Sequence, residues 1–321
     1  MVAPDYPGFG HSDAPAAKKF SYTFDNIAKV MDQFTETLNL TKYTLYMQDY
    51  GGPVGFRMAL AHPDRIEALI VQDAVAHNEG LGANWKTRRA FWADHASHEA
   101  ALRTNLLPLD TTRTRHVGND PNPKKYDPDL WTDEYAFLNK PGEANIQSDL
   151  FYDYRTNVDA YPNWQTWMQK TQPRLLVLWG KYDLSFELTE PEAYRRDVPK
   201  AQVHILDAGH FALDTAADEI ADLVRRFMSN SSQPRHGKRR ANMSSGMWRS
   251  ATSAVLLYSK VSAPDSGHHV RAAHPSRAFL SWDRPATERS GTLAISTPRR
   301  VTDPWWRTPT RSPGTRSACD V

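Results

Sequence analysis

The feature that most constrains the fold of this sequence is the stretch YTLYMQDYGG at residues 43–52. It begins with β-branched, aromatic and aliphatic residues, which predict a buried strand. An acid, an aromatic residue and two glycines follow, and residues 54–61 then have a helical pattern. A strand that turns so sharply into a helix holds the residue at the bend in strained backbone angles, and nearby glycine removes the Cβ clash that would forbid the turn. Asp49 is therefore expected to project from the carboxyl end of a sheet, beside helical N–H groups.

This turn leaves two roles open for Asp49. The local pattern is that of a nucleophile elbow, which would present the carboxylate as a nucleophile. The alternative is a carboxylate that only caps the following helix. One position departs from the elbow pattern, because the residue two before the nucleophile is commonly small and here it is Met47.

Strands and helices alternate through much of the first 229 residues. Further short apolar runs predict strands over residues 66–73, 174–180 and 202–206, and helical spacing predicts amphipathic helices over 23–40 and 218–228, the first capped by Thr23. The alternation predicts an α/β fold, with a mostly parallel sheet and helices on both faces.

Residues 75–170 break this rhythm. Strand signals disappear, helical patterns dominate, most clearly over residues 83–107 and 129–138, and tryptophan and tyrosine are abundant. An insertion of this size between two strands would cover their carboxyl ends, where ligands bind in open α/β sheets. The segment is therefore predicted to be a helical lid.

Three residues with chemical potential each follow a predicted strand. Asp49, Asp183 and His210 occur in the order nucleophile, acid, histidine, which is the order expected for a triad of the nucleophile-elbow type. Asp73 follows another strand and is an alternative acid. It ranks below Asp183, which ends a Trp-Gly-x-x-Asp turn suited to an exposed carboxylate.

An aspartate nucleophile restricts the chemistry of such a triad. A carboxylate attacks an electrophilic sp³ carbon without prior deprotonation and forms an ester. His210, held by Asp183, would then activate water to attack the carbonyl carbon of Asp49. Backbone N–H groups, including that of Tyr50, would stabilise the resulting oxyanion. Epoxides and alkyl halides fit this scheme, whereas an ester would call for serine.

Five short motifs extend this interpretation. They are DYPGFGHS at residues 5–12, QDYGG at 48–52, HPDR at 62–65, WGKYD at 179–183 and GHF at 209–211. Together they make residues 1–229 resemble the α/β-hydrolases of the epoxide hydrolase and haloalkane dehalogenase group. The resemblance implies an α/β-hydrolase fold with Asp49 as nucleophile, His210 as base, Asp183 as its partner and no cofactor or metal.

The choice between the two activities depends on what stabilises the leaving atom. Epoxide hydrolases supply proton donors from lid tyrosines, and the sequence YRTN at residues 154–157 is similar to a stretch near the end of their lid. Tyr154 is thus the donor candidate, with Tyr152 and Tyr135 as guesses for a second; packing is the alternative role of Tyr154. Dehalogenases usually hold the halide with a tryptophan directly after the nucleophile, where this chain has Tyr50. We therefore expect an epoxide hydrolase, with haloalkane dehalogenase as the alternative.

The two ends of the chain depart from the resemblance. Members of the group normally carry several strands before the first motif, with a His-Gly-x-Pro-like segment that is missing here, so a truncated sheet with an unpaired edge is expected. Residues 230–321 lack periodicity and predict a disordered tail. From residue 231 onward the chain has 15 Lys and Arg against 5 Asp and Glu. A truncated non-catalytic remnant, or a basic-tailed binding protein, is therefore the rival from another class.

The expected organisation has four segments. They are residues 1–74 (first part of the core), 75–170 (lid), 171–229 (second part of the core) and 230–321 (basic tail). No apolar run approaches the roughly 20 residues of a membrane span, and no signal peptide is recognised. The single cysteine, Cys319, favours a reducing compartment, so a cytoplasmic enzyme is expected. Its partner would be a small-molecule substrate, and neither nucleic acid nor membrane binding is expected.

Overall fold

The computed structural model of the protein describes residues 1–229 and, beyond them, only the backbone of Val255–Tyr258. Its strands are β1 (Tyr43–Gln48), β2 (Ile66–Gln72), β3 (Leu175–Gly180), β4 (Gln202–Leu206) and β5 (Val255–Tyr258). Its α-helices are α1 (Phe24–Thr37), α2 (Gly51–Ala61), α3 (Lys86–Ala93), α4 (His95–Leu106), α5 (Leu109–Val117), α6 (Asp129–Leu138), α7 (Glu143–Asp153), α8 (Arg155–Thr171), α9 (Glu190–Asp197) and α10 (Leu213–Ser229).

The strands form one sheet in the order β4-β3-β2-β1-β5. β1, β2, β3 and β4 pair in parallel, each with its neighbour along the chain. The connections between them carry helices, as parallel pairing requires. This confirms the predicted α/β fold with a mostly parallel sheet, and it brings the carboxyl ends of four strands to one edge.

Side chains of the strands alternate between two buried layers. In β2, Leu69 and Val71 pack in the core that also contains residues of α1, α2 and α8, while Ala68 and Ile70 pack with residues of α10. Because successive strand residues point to opposite faces, an almost continuous apolar strand is what a sheet covered on both sides requires. Helices on both faces hold the strand ends in fixed positions.

Helix boundaries follow local signals with small differences. Thr23 caps α1 as predicted, since its hydroxyl accepts from the Asn26 N–H at 3.2 Å. The stretch predicted over residues 83–107 is divided into α3 and α4 because Asp94 ends one helix and caps the next. α10 begins before its predicted start and has a kink at Ala216. None of the described helices combines the length and apolar character needed to cross a bilayer.

Val255–Tyr258 differs from the expectation for the basic tail. These four residues form β5, which pairs antiparallel with Thr44–Met47 of β1. The expected unpaired edge at β1 is therefore covered over this length, because a run of apolar residues with strand propensity can satisfy the exposed N–H and C=O groups. The rest of the predicted tail lies outside the described residues.

A buried histidine connects α9 to the loop after β2. His77 lies between Glu190, 2.8 Å from its Nδ1, and Asp197, 3.0 Å from its Nε2, and all three side chains are almost fully buried. Burial disfavours the charged ring, but the two carboxylates outweigh it and raise the pKa of His77 above its ordinary value. An imidazole held between two buried carboxyl groups is therefore part of the packing between α9 and the loop after β2.

Candidate active site

The turn between β1 and α2 has the strained geometry predicted for it. Asp49 has a φ of +46°, in the left-handed region that non-glycine residues rarely occupy. Its N–H donates to the Asp73 carbonyl at 3.3 Å, and its own carbonyl accepts from Gly52 at 2.9 Å. A Cβ at Gly52 would lie 2.9 Å from the Cβ of Ala74, so glycine allows this close approach. The turn leaves the Asp49 side chain 21% exposed.

The unusual Met47 is accommodated by a glycine in the following helix. A Cβ at Gly55 would lie only 2.7 Å from Cγ of Met47 and would overlap its sulfur. Both residues are fully buried. Because Gly55 has no side chain, it leaves the volume that the large side chain of Met47 fills.

The structure brings Asp49, Asp183 and His210 together. His210 donates through Nδ1 to Asp183 Oδ2 at 3.0 Å, and its Nε2 lies 3.4 Å from Oδ2 of Asp49. The Asp183 side chain is fully buried and that of His210 is 1% exposed, so Asp49 is the member of the three that solvent reaches. Such an arrangement orients a histidine between an acid and a group open to a substrate.

The charge state of His210 depends on both carboxylates. Burial opposes the imidazolium, but the charge and hydrogen bond of Asp183, followed by those of Asp49, outweigh burial and raise the pKa of His210 well above its ordinary value. The side-chain nitrogen of Gln48 also lies 3.4 Å from Nε2. Sequence reasoning missed Gln48, whose only signal was its position before Asp49.

The alternative acid, Asp73, has a different environment. Its Oδ1 accepts from the Gly180 N–H at 2.8 Å, and no hydrogen bond joins it to His210 within residues 1–229. Burial, and then the negative charge of Asp183, raise the pKa of Asp73 well above its ordinary value. The Asp73 carboxyl therefore supports the backbone at the end of β3, three residues before Asp183.

Two glycines allow the loops of the acid and the histidine to touch. A Cβ at Gly180 would overlap the carbonyl oxygen of Gly209 and lie 2.7 Å from its carbonyl carbon and 2.8 Å from the Ala208 oxygen. Gly180 ends β3 shortly before Asp183, and Gly209 directly precedes His210. The distance between the two functional side chains is therefore set by backbone contact between these loops.

A cavity of about 360 Å³ opens above Asp49. Its wall includes Tyr50, Trp85 and Phe186, together with the charged side chains of Arg88, Arg115, Glu134, Lys140 and Glu143. The volume lies within the range typical of small-molecule sites. The arginines were not identified from the sequence, because no local motif marks which residues of the helices between β2 and β3 face a cavity.

The predicted tyrosines occupy other positions. Tyr154 packs against Tyr50 and Trp85, with ring centroids 6.2 and 4.7 Å away, and does not itself line the cavity. Burial is the main cause that raises the pKa of Tyr154 well above its ordinary value, and the charge of Asp49 contributes to it. Tyr152 and Tyr135 also lie away from the cavity wall.

Tyr50, by contrast, lines the cavity. Within residues 1–229, the N–H of Tyr50 donates no hydrogen bond. An N–H that is to stabilise an oxyanion must be free in this way before the reaction. Its hydroxyl is buried and has no hydrogen-bond partner among the same residues.

In the part of the chain that the structure describes, no group of three or more His, Cys, Asp or Glu side chains is arranged to hold a metal ion. Near the cavity, His210 is instead paired with Asp183, and His116 with Glu134. The described site therefore offers a carboxylate, a histidine–acid pair and two arginines as its chemical groups.

Comparison with known proteins agrees with this architecture. The model of the alpha/beta hydrolase fold family matches residues 1–217. An uncharacterized hydrolase of Saccharomyces cerevisiae, YNR064C, is 34% identical over 235 residues, which are 72% of this chain and 80% of that protein. Haloalkane dehalogenase 2 of Mycobacterium tuberculosis is 39% identical over 108 residues, only 33% of this chain and 32% of that enzyme.

Solved structures support the same fold. The meta-cleavage product hydrolase CumD of Pseudomonas fluorescens has a TM-score of 0.56 at 18% identity, covering 71% of this chain and 79% of that one. An esterase of Thermogutta terrifontis gives the same TM-score and identity, with 71% and 78% covered. The chain belongs to the alpha/beta hydrolase fold family.

Proposed function

We propose that this hydrolase opens a small organic electrophile through a covalent ester on Asp49, and that its substrate is an epoxide. The observation that carries the proposal is the Asp49 carboxylate at the cavity, on a residue with strained backbone angles. His210 Nε2 lies 3.4 Å from this carboxylate, and the other ring nitrogen of His210 is hydrogen-bonded to Asp183. A carboxylate needs no base to act as a nucleophile, unlike a serine hydroxyl. We further propose that residues 75–170, which carry α3–α8, act as a lid over this cavity.

In the first step, a carboxylate oxygen of Asp49 bonds to an epoxide carbon and the carbon–oxygen bond of the ring breaks. The ring oxygen takes a proton and becomes a hydroxyl. Tyr154 is the proposed donor, because its ring packs against that of Tyr50, the residue after Asp49, with centroids 6.2 Å apart. It packs behind residues of the wall, so a donor role requires that Tyr50 or Trp85 move aside.

In the second step, His210 takes a proton from water as the water oxygen attacks the ester carbonyl carbon of Asp49. Ester formation removes the negative charge of Asp49, which helps to raise the pKa of His210, so the pKa of the ring falls and its neutral form, the form that can accept a proton from water, becomes more populated once the intermediate exists. The N–H of Tyr50, which donates no hydrogen bond within residues 1–229, is the proposed oxyanion donor. Collapse of the tetrahedral species releases a diol and restores the Asp49 carboxylate, and the proton that His210 took from water returns to the Tyr154 oxygen, so both residues regain their starting forms.

The cavity favours an epoxide over a haloalkane. Tyr50 occupies the place after the nucleophile where a halide-binding indole would be expected. Trp85, the tryptophan on the described cavity wall, donates its N–H to the Ser185 carbonyl at 2.8 Å and so has no donor left for a halide. Haloalkane dehalogenation is the second candidate, because of the 39% identity over 108 residues to an enzyme of that name.

The test is to trap the ester. His210→Gln should form the intermediate and fail to hydrolyse it, so incubation with styrene oxide should add one substrate mass to the peptide that contains Asp49, detected by mass spectrometry. A parallel incubation with 1-bromobutane tests the second candidate, with chloride-free buffer and bromide release as the readout. The double variant Asp49→Asn with His210→Gln is the matched control and should carry no adduct.

An adduct on Asp49 from styrene oxide alone supports an epoxide hydrolase, and one from bromobutane alone supports a dehalogenase. Absence of any adduct on a His210→Gln protein that is folded by circular dichroism would refute the aspartate mechanism. It would favour the rival interpretation of a non-catalytic protein.

A further inference from the structure

Arg88 of α3 is a charged group that the proposed reaction does not use. It lines the cavity that contains Asp49. Its guanidinium lies over the ring of Trp85, 4.6 Å from the centroid, and 5.6 Å from that of Phe151. Among the described residues it makes one long hydrogen bond, from Nη1 to the Asn84 carbonyl at 3.3 Å, and its buried Nε has no partner. Two aromatic rings thus fix a guanidinium whose donors are mostly unused.

The other cations of the wall are already neutralised or solvated. Arg115 donates to Glu134 at 2.8 Å, and Glu134 also lies 2.8 Å from His116. Burial disfavours the Glu134 carboxylate, but Arg115 and His116 outweigh it and lower its pKa, so this group is ionised. Lys140 is exposed to solvent. Within residues 1–229, Arg88 is therefore the partly buried cation of the cavity without a carboxylate in hydrogen-bond contact.

Leaving a partly buried guanidinium with one long hydrogen bond and a buried Nε without a partner is costly, and a native structure that does so needs an explanation. Arg88 and Asp49 line the same cavity. Burial lowers the pKa of Arg88, and Tyr50, followed by the charge of Asp49, acts against this. Asp49 does not itself accept from Arg88 in the described structure. A ligand oxygen anion in the cavity would complete the hydrogen bonds of Arg88.

We propose that Arg88 binds a carboxylate of the substrate, so that the preferred substrates are small epoxides bearing a carboxylate next to the ring. This inference rests on the proposed function, whose reaction and atom balance it leaves unchanged. The planar fork of a guanidinium matches the two oxygens of a carboxylate, whereas the single oxygen of an opening epoxide would use it only in part. Arg88 also offsets the repulsion between the Asp49 carboxylate and an anionic substrate.

The experiment compares two substrates of the same shape, 3-phenylglycidate and its neutral amide 3-phenylglycidamide, with the full-length chain. Arg88→Met keeps the apolar stem and removes the charge. It should lower the ratio of kcat/KM for the carboxylate to that for the amide by about 30- to 100-fold, the effect of a charge-assisted hydrogen-bonded pair. Arg88→Lys keeps the charge and should restore part of the ratio. The adjacent, exposed Arg89 provides the matched control, Arg89→Met, with an unchanged ratio.

An equal loss on both substrates would overturn the inference, because it would place Arg88 at the leaving oxygen or in the folding of α3. An unchanged ratio would also overturn it.

Calorimetric binding of the unreactive 3-phenylpropanoate and 3-phenylpropanamide separates this result from the fate of the proposed function. Selective carboxylate binding that disappears in Arg88→Met, with no epoxide hydrolysed, would refute the reaction and retain the anion site. Hydrolysis of both epoxides without carboxylate preference would retain the reaction and refute the anion site.

Discussion

Adding one methyl group at the end of β3 should separate the acid from the histidine. In Gly180→Ala the new Cβ would lie 2.7 Å from the carbonyl carbon of Gly209, and closer to its oxygen. Ordinary packing needs about 3.5 Å, so the two backbone segments must move apart by about 0.8 Å or more. Both are main chain at a sheet end, and no flexible side chain can absorb the shift. The expected cost is near the upper end of the overpacking range, about 3 kcal/mol of unfolding free energy.

The displacement should also change the site, because Asp183 and His210 follow these two glycines closely. A misplacement approaching 1 Å is expected to reduce turnover by about 10²-fold. Loss of the hydrogen bond that His210 donates to Asp183 should lower the pKa of His210, which histidine NMR titration measures without assuming any reaction. Urea unfolding followed by fluorescence gives the change in stability.

The control for a methyl group without a clash is Gly142→Ala. Gly142 has a φ of +90°, and a Cβ added there would have no atom within 4 Å, so only backbone strain of about 1–2 kcal/mol is expected. The pKa of His210 in Gly142→Ala should match that in the unaltered protein. Wild-type stability in Gly180→Ala, or a large loss of stability with an unmoved His210 pKa, would refute the reasoning that this contact sets the geometry.

Three further predictions concern titratable groups. Asp49→Asn should lower the pKa of His210, because a negative neighbour that favours the imidazolium is removed; an equal or higher value in NMR titration would contradict this. Asp183→Asn should slow ester hydrolysis by about 10³–10⁴-fold and Asp73→Asn much less, as measured by rapid-quench kinetics. A larger effect of Asp73→Asn would show that Asp73 is the partner of His210. His77→Gln should lose more unfolding free energy at pH 6 than at pH 9. Because the pKa of His77 is raised in the folded state, its contribution to stability is complete below the pKa of the unfolded state and is lost as the pH rises through the pKa of the folded state. Equal losses of unfolding free energy at pH 6 and pH 9 would exclude a stabilising role for the charged form of His77.

Most of the sheet could be predicted because its information is local. The strand that ends at Gln48, the glycines after it and the amphipathic α1 each depend on neighbours within a few residues. β5 was missed because a four-residue apolar run has no period to identify, and its pairing depends on the free edge of β1. The split between α3 and α4 was missed for a similar reason, since one capping residue ended an otherwise continuous helical pattern.

The sequence by itself determined the α/β fold and the three residues at the strand ends, because parallel strands bring their carboxyl ends to one edge regardless of the details of packing. Only the tertiary structure decided which groups face the cavity. It placed Tyr154 in the packing behind the wall and Arg88 on the wall, although both lie between β2 and β3 in the sequence. The orientation of a side chain in this segment depends on which distant surfaces its helix packs against, and no spacing within the segment encodes those surfaces.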